Sequence, residues 1–455
     1  MISYLMLMMF LLPLLYFTFT SSKKLILFVV FIGGIPLTTF MPDLVLLGFL
    51  GGLAPQAAFL FFIVGSLSFV LLFSNGVVLR EILRFKMYAL FIVYVVMSLM
   101  WSENFVYGLR LSIKLLSPFL LYMGVVGFIK NNNDFKKVEL ALYACVLVVL
   151  VLIAVNYMSG GAIGGDKVRY KWIPLGVLTA PYMSPANFSF FISSIAIYSI
   201  GRYLFSKENK YLAIYFLLTA IVFAAFTRIS MAGLVLGTGI CVFFMVQNTV
   251  VKIAFPLVIV AGFVTMLFTV DKFRDRMFYN ADEFNISEAI ESPDKFEKNF
   301  DTSGRIFLWA EVLEHYKESN HIIGGGVGSL DYLMDREFRS LELHSEFLRL
   351  YLDFGIVGLS LYLLGILQII LKMKNLKNSG PQRMYAAIAA GGLGLYLVTL
   401  FTDNSLNYVT EFGNYVYAFI GLAIAATFNT KPININKEVT NKKGVSDMFQ
   451  SVKLR

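Results

Sequence analysis

Charged side chains are scarce in this sequence. They make up 15% of its 455 residues, whereas soluble domains average about 25%. Hydrophobic residues account for 58%, and the mean hydropathy is +0.73. Long apolar runs recur from one end of the chain to the other, and a soluble fold of this length could not bury so much apolar surface. The composition therefore excludes a soluble protein and indicates that lipid surrounds most of the chain.

Cysteine and histidine are rarer still. Cys145 and Cys241 both fall inside apolar runs, which argues against a disulfide framework. No group of His, Cys and Glu residues has the spacing of metal ligands, and no Asp-x-Asp pair has the context of a nucleotide-sugar site. No glycine-rich loop for a nucleotide is present either. We therefore expect no metal and no cofactor.

Basic residues outnumber acidic ones, and the net charge is +9. They are scattered between apolar runs, so membrane orientation explains them better than a nucleic-acid partner does. If the basic C-terminal tail lies inside the cell, alternation gives every predicted inside loop at least one Lys or Arg. The first apolar run lacks the basic region and cleavage site of a secretory signal, so we expect it to be a retained helix.

The apolar runs define the predicted transmembrane helices. A spanning helix needs about 20 apolar residues, and the runs that approach this length lie near 2–20, 25–41, 56–74, 87–101, 106–129, 138–158, 186–201, 211–227, 229–247, 250–270, 347–371, 385–401 and 413–428. The segment 42–55 is broken by Pro and Gly and is either a re-entrant piece or a short extra helix. We predict an all-α, polytopic integral membrane protein of about 12–14 transmembrane helices.

The chain divides into four predicted regions. They are N-terminal transmembrane helices (1–270), an extracytoplasmic loop with amphipathic helices (271–346), C-terminal transmembrane helices (347–430) and a basic cytoplasmic tail (431–455). A second long outside loop, 159–185, lies within the first region.

The loop 271–346 contains a predicted amphipathic helix. Its apolar face comprises Ile306, Trp309, Ala310, Leu313 and Tyr316, and Thr302 or Ser303 is the expected N-cap. Arg305 would lie in the first turn of this helix. Farther on, Gly324-Gly325-Gly326 allows a close backbone turn, and His344 stands at the outer end of the apolar run 347–371.

Short motifs occur in a fixed order along the chain. They are Trp101-Ser102 followed by Arg110 and Lys114; Pro185-Ala186-Asn187; Ser303-Gly304-Arg305 with Trp309 and the glycines at 324–328; His344-Ser345 followed, after nine intervening residues, by Gly355-Ile356-Val357-Gly358; and Asp403-Asn404-Ser405. Together they resemble the signature of the O-antigen polymerase and ligase family. That family carries Ser-Arg where this chain has Ser230-Met231, and we expect the nearby Arg228 to replace the missing Arg.

The resemblance implies a GT-C-like glycosyltransferase of the bacterial inner membrane with its active site on the extracytoplasmic side. Such an enzyme transfers the glycan of a polyprenyl-pyrophosphate-linked oligosaccharide to an acceptor hydroxyl, with inversion and without a metal. The other implied partners are membrane lipid, a chain-length regulator and flippase proteins. The form of the His-Ser motif is similar to that of the polymerases, which join repeat units into O-antigen or other surface polysaccharide.

This chemistry suggests a role for each of the candidate residues. A leaving pyrophosphate needs cations, and the planar fork of Arg binds phosphate oxygens in pairs; the candidates are Arg110, Lys114, Arg228 and Arg305. An acceptor hydroxyl needs a base, and His344 is suited because imidazole titrates near neutral pH. We expect His344 and Arg305 to be catalytic. Weaker substrate-binding candidates are Arg169, Asp403 and Glu346.

Three alternatives stay open. A ligase would transfer the lipid-linked glycan to a lipid or another acceptor. A flippase for lipid-linked oligosaccharides would also need buried cations, although it often shows internal repeats and none is visible here. A structural membrane subunit would leave Arg110 and Lys114, which lie within an apolar helix, without a purpose.

Overall fold

The computed structural model describes residues 76–158, 184–225, 227–269, 305–317, 319–338, 342–376, 380–404, 406 and 412–429. Within these ranges the only regular elements are helices. The first part of the chain forms α1 (Val77–Arg84), α2 (Lys86–Met97), α3 (Phe105–Phe128), α4 (Asn132–Met158), α5 (Pro185–Ser206), α6 (Asn209–Ala224), α7 (Arg228–Met245) and α8 (Thr249–Thr269). The second part forms α9 (Arg305–His315), α10 (Ser329–Glu337), α11 (Glu346–Asn375), α12 (Gly380–Thr402) and α13 (Asn414–Asn429).

The described helices confirm the prediction of an all-α, polytopic membrane protein. Six of them, α3, α4, α5, α7, α11 and α12, are long and apolar enough to cross a membrane. The helices α2, α6 and α13 are shorter but also apolar. Several predicted segments lie outside the described residues. They are the three N-terminal spans, the segment 42–55, the tail from 431, and the loop 159–185 except for its last two residues.

Helices from both halves of the sequence share one hydrophobic core. A close approach joins α7 and α12, where a Cβ on Gly237 would lie 2.6 Å from the carbonyl oxygen of Gly391. Gly233 lies against Leu395 in the same interface. Glycine allows such close backbone contact because it has no side chain, a device that is common between membrane helices.

The helices α9 and α10 pack on the first turns of α11 as a separate apolar cluster. Its buried members are Val312, Tyr316, Leu330, Leu333, Met334, Leu343 and Leu352. Burial raises the pKa of the Tyr316 phenol above its ordinary value. This cluster holds the described part of the segment before α11 against the bundle.

The predicted apolar face of α9 is partly wrong. Trp309 and Tyr316 pack inward as expected, but Ala310 and Leu313 are exposed and Val312 is fully buried instead. Val312 and Leu313 are adjacent and both apolar, so the spacing alone could not decide which of them faces the core. The helix itself begins at Arg305, and both of its predicted N-caps lie outside the described residues.

The glycine-rich segment before α10 pairs with a break inside α11. Gly355 has φ 62° and ψ −168°, which interrupts α11, and the backbone of 321–326 supplies hydrogen bonds there. The amides of Gly325 and Gly326 donate to the carbonyls of Leu352 and Asp353 at 3.0 and 2.9 Å. Positive φ values at Gly324, Gly326 and Gly328 confirm the predicted turn.

Candidate functional site

His344 lies immediately before the N-cap residue of α11. Its φ of 54° lies in the left-handed region, which non-glycine residues rarely occupy unless their surroundings hold them there. Ser345 forms the N-cap of α11, and its side chain accepts a hydrogen bond from the Leu348 amide at 3.4 Å. The His344 amide donates to the side-chain oxygen of Asn404 at 2.9 Å. These contacts fix the direction in which the imidazole leaves the backbone.

The imidazole of His344 lies beside the carboxylate of Asp403. The distance from Nδ1 to Oδ1 is 3.5 Å, and the two side chains are 31% and 6% exposed. Asp403 follows the end of α12, and α12 runs antiparallel to α11, so the two residues meet at the same end of the bundle. Because Nδ1 is buried while part of the ring is exposed, the accessible part of the ring lies away from Nδ1.

Two further hydrogen bonds anchor the loop that carries His344. The indole nitrogen of Trp309 donates to the Leu343 carbonyl at 2.6 Å. The side chain of Asn404 donates to Glu342 at 2.7 Å. Trp309 therefore acts as an anchor of the segment before His344, which agrees with its expected packing role.

A buried ion network lies one turn into α11. Arg349 is 3% exposed and bridges two carboxylates, Glu346 at 2.9 Å and Asp331 of α10. Asp353 is fully buried and accepts the amides of Gly328 and Leu330 at 3.2 and 2.8 Å. A buried charge is tolerated only when it is paired and hydrogen-bonded, and this network pairs α10 with α11.

Glu346 connects this network to the histidine loop through the backbone. One of its carboxylate oxygens faces Arg349, and the other accepts the amide of Leu406 at 2.9 Å. Leu406 lies three residues beyond Asp403. Asp403, rather than Glu346, is therefore the acidic residue that the structure places beside the ring of His344.

Arg349 was not among the predicted site residues, although its signal was visible in the sequence. Glu346, Arg349 and Asp353 are spaced three and four residues apart within an apolar run, so they share one face of a helix. Charged residues inside a membrane helix are costly, and the same argument had selected Arg110 and Lys114.

The predicted cations of α3 point toward the helices of the loop. Lys114 is within electrostatic range of Asp331, Arg349, Glu346 and Glu342, so it lies close to the ion network. Arg110, one turn earlier, stacks over the Tyr107 ring with its guanidinium carbon 5.7 Å from the ring centre. The Tyr107 hydroxyl in turn donates to Asp335 of α10 at 2.6 Å.

Arg305 and Arg228 begin their helices on the same side of the molecule. Arg305 is the first residue of α9 and lies one turn before Trp309, which contacts the histidine loop. Arg228 is the first residue of α7. In the antiparallel pair α7–α12, Gly233 faces Leu395 and Gly237 faces Gly391, so continuing this register places Arg228 level with about residue 400, close to Asp403.

The site therefore unites most of the predicted residues at one end of the bundle. His344 and Asp403 are in contact, Glu346 and Lys114 lie at the adjacent ion network, and Arg110, Arg228 and Arg305 occupy helix positions on the same side. Arg169 lies outside the described residues. Among the described residues, no group of three His, Cys, Asp or Glu side chains is arranged to hold a metal ion.

Residues 213–363 match a family model described as O-antigen ligase. The matched segment contains Arg228, Arg305 and His344 as well as the break at Gly355. The match supports the resemblance to the O-antigen ligase and polymerase family found in the sequence. A search among curated proteins found no match.

Proposed function

We propose that this member of the O-antigen ligase and polymerase family joins oligosaccharide repeat units carried on a polyprenyl pyrophosphate. The reaction forms a new glycosidic bond without a metal at the extracytoplasmic face of a bacterial inner membrane. The observation that carries this proposal is the contact between His344 and Asp403 at the cation-rich end of the bundle.

The carboxylate of Asp403 gives His344 a defined direction for proton transfer. A negative charge beside Nδ1 favours the tautomer that carries its proton there, as in other base–carboxylate pairs. The lone pair of Nε2 then remains available to an acceptor hydroxyl. In the proposed step, this nitrogen takes the hydroxyl proton while the acceptor oxygen attacks the anomeric carbon of the donor.

The leaving pyrophosphate needs the cations. As the bond between the anomeric carbon and the phosphate oxygen breaks, its electrons stay on the pyrophosphate. Lys114, Arg305, Arg110 and Arg228, which lie on this side of the bundle, are the candidates to stabilise this charge. A fixed donor of this kind contributes about 2.7–4 kcal/mol to such a step.

A ligase is the second candidate because the matching family model is described as O-antigen ligase. The two activities share the donor and the chemical step proposed above. They differ in the acceptor, which is another lipid-linked repeat unit for a polymerase and a different lipid or other molecule for a ligase.

The test uses purified protein in lipid with a polyprenyl-pyrophosphate oligosaccharide, and a gel resolves the products. A ladder that is lost in His344→Ala supports the polymerase and its base. A single addition to a separate acceptor supports the ligase. Normal product from His344→Ala excludes the proposed base, and transport of the substrate without any product favours a flippase.

A further inference from the structure

A cleft lies at the opposite end of the bundle from His344. The helix α12 connects the two places, because it begins with Pro381, Met384 and Tyr385 at the cleft and ends beside Asp403. The rise of a helix puts Tyr385 and Asp403 about 27 Å apart, which is close to the thickness of the hydrocarbon core of a membrane.

The cleft has an apolar body and a polar rim. Its volume is about 240 Å³, and its lining residues are Asn132, Phe135, Lys136, Glu139, Arg202, Phe205, Pro381, Met384, Tyr385 and Ala426. A cavity needs only about 10–15 Å³ of this kind of volume to hold one water molecule, so the cleft has room for a small polar group joined to an apolar segment. These lining residues come from the first turns of α4 and α12 and from the last turns of α5 and α13.

The one carboxylate in the lining is already neutralised. Glu139 forms a salt bridge with Arg202 at 2.7 Å. It also accepts hydrogen bonds from the hydroxyls of Tyr211 and Tyr198 at 2.6 and 3.1 Å. Both carboxylate oxygens therefore have partners within the protein, and Glu139 needs no cation from outside.

The two basic residues keep donor capacity for a ligand. The Nη1 nitrogen of Arg202 has the thioether sulfur of Met384 as its hydrogen-bond partner, at 3.6 Å, and a thioether is a weak acceptor. Lys136 is exposed on the rim of the cleft. The charges of Glu139 and Arg202 cancel, so Lys136 leaves the lining with a net charge of +1.

We propose that this cleft binds the phosphodiester headgroup of an anionic phospholipid from the leaflet opposite His344. A phosphodiester carries a single negative charge, which balances the net charge of +1 in the lining. Its oxygens can accept hydrogen bonds from Lys136 and from Nη1 of Arg202. The glycerol and the first acyl carbons would lie along Phe205, Met384 and Pro381. This site is independent of the glycosyl-transfer proposal.

Native mass spectrometry of the full-length protein tests the proposal with phosphatidylglycerol and phosphatidylethanolamine as probes. Wild type should retain phosphatidylglycerol in preference, and Lys136→Gln should bind it about tenfold more weakly, because one charge-assisted hydrogen bond is lost. Lys137→Gln is the matched control, since Lys137 is also exposed but does not line the cleft. It should bind as wild type does.

A photoactivatable phosphatidylglycerol locates the site. The expected labels fall on peptides that contain residues 132–139 and 381–385. Equal binding by Lys136→Gln and wild type, or equal retention of the two lipids, would overturn the proposal. Displacement of the lipid by millimolar inorganic phosphate would also overturn it and would assign the cleft to a free phosphate compound. None of these results depends on whether the protein polymerises glycans.

Discussion

Asp403 affects the proposed reaction through the ring of His344. Its carboxylate oxygen lies 3.5 Å from Nδ1 and also accepts the Asn404 amide at 2.8 Å, so the backbone holds it in position. Asp403→Asn keeps the size of the side chain and removes the charge that favours a proton on Nδ1. We expect kcat to fall about 10²-fold with little change in KM, in the range that a positioned base contributes.

The assay for Asp403→Asn follows initial rates with the lipid-linked oligosaccharide at several concentrations. Glu337→Gln is the control, because Glu337 is exposed on α10 and pairs with the exposed Arg336; it should retain the wild-type rate. An unchanged kcat in Asp403→Asn would show that the carboxylate does not assist His344.

Arg349 makes a different contribution, to stability. It is the basic partner of Glu346 and of Asp331 in a buried network. Arg349→Met leaves carboxylates without their counter-charge, and breaking a buried pair in this way costs about 3–5 kcal/mol. We expect a large fall in the thermal midpoint of the purified protein, whereas Arg336→Met, at an exposed pair, should change it little. Equal midpoints for the two variants would contradict this account of the network.

At the scale of elements, the break in α11 determines how the loop docks. Gly355 has φ 62°, and a Cβ there would overlap the carbonyl of Ile322. The amides of Ile356 and Val357 donate to the backbone carbonyls of His321 and Ile322 at 3.0 and 3.2 Å, so the segment before α10 completes the hydrogen bonding of the interrupted helix. Irregular backbone at membrane depth is tolerated where protein satisfies it in this way.

The substitution Gly355→Ala tests this docking. It combines a disfavoured backbone conformation with a backbone overlap, and we expect it to loosen the loop and lower both stability and activity. Gly239→Ala is the matched control, because Gly239 lies in α7 with nothing within 4 Å of its Cβ position; it should be neutral or stabilising by up to about 1 kcal/mol. Limited proteolysis of the loop is the measurement, and equal protection of the two variants would count against the docking role.

The sequence predicted the helices well because their apolar runs are long. The runs near 106–129, 138–158 and 186–201 correspond to α3, α4 and α5. It could not predict the partners of each charged side chain, since Lys114 and Asp331 are far apart along the chain and meet only through tertiary packing. Tertiary packing also decides that Val312 rather than Leu313 faces the core. Arg349 is a different case, because its spacing with Glu346 and Asp353 was visible in the sequence.

At the scale of the whole molecule, the packing of α7 against α12 joins the two halves of the site. The carbonyl of Gly391 leaves no room for a side chain on Gly237, and the register of this pair places Arg228 near the end of α12. Because α12 leads directly to Asp403, separation of the two helices would move a cation away from the proposed base. The site therefore depends on a contact in the middle of the membrane.

Gly237→Val should separate α7 from α12, because the added side chain meets backbone that cannot rotate away. Overpacking of a tight interface costs about 1–3 kcal/mol, and we expect a lower thermal midpoint together with a loss of glycosyl transfer. Gly239→Val adds the same volume to the same helix, where the Cβ position has nothing within 4 Å, so it should retain stability and activity. The thermal midpoints and transfer rates of the two variants, measured in lipid, distinguish a loss of helix packing from the general effect of valine in α7. Wild-type rates in Gly237→Val would mean that the position of Arg228 relative to Asp403 does not matter for the reaction.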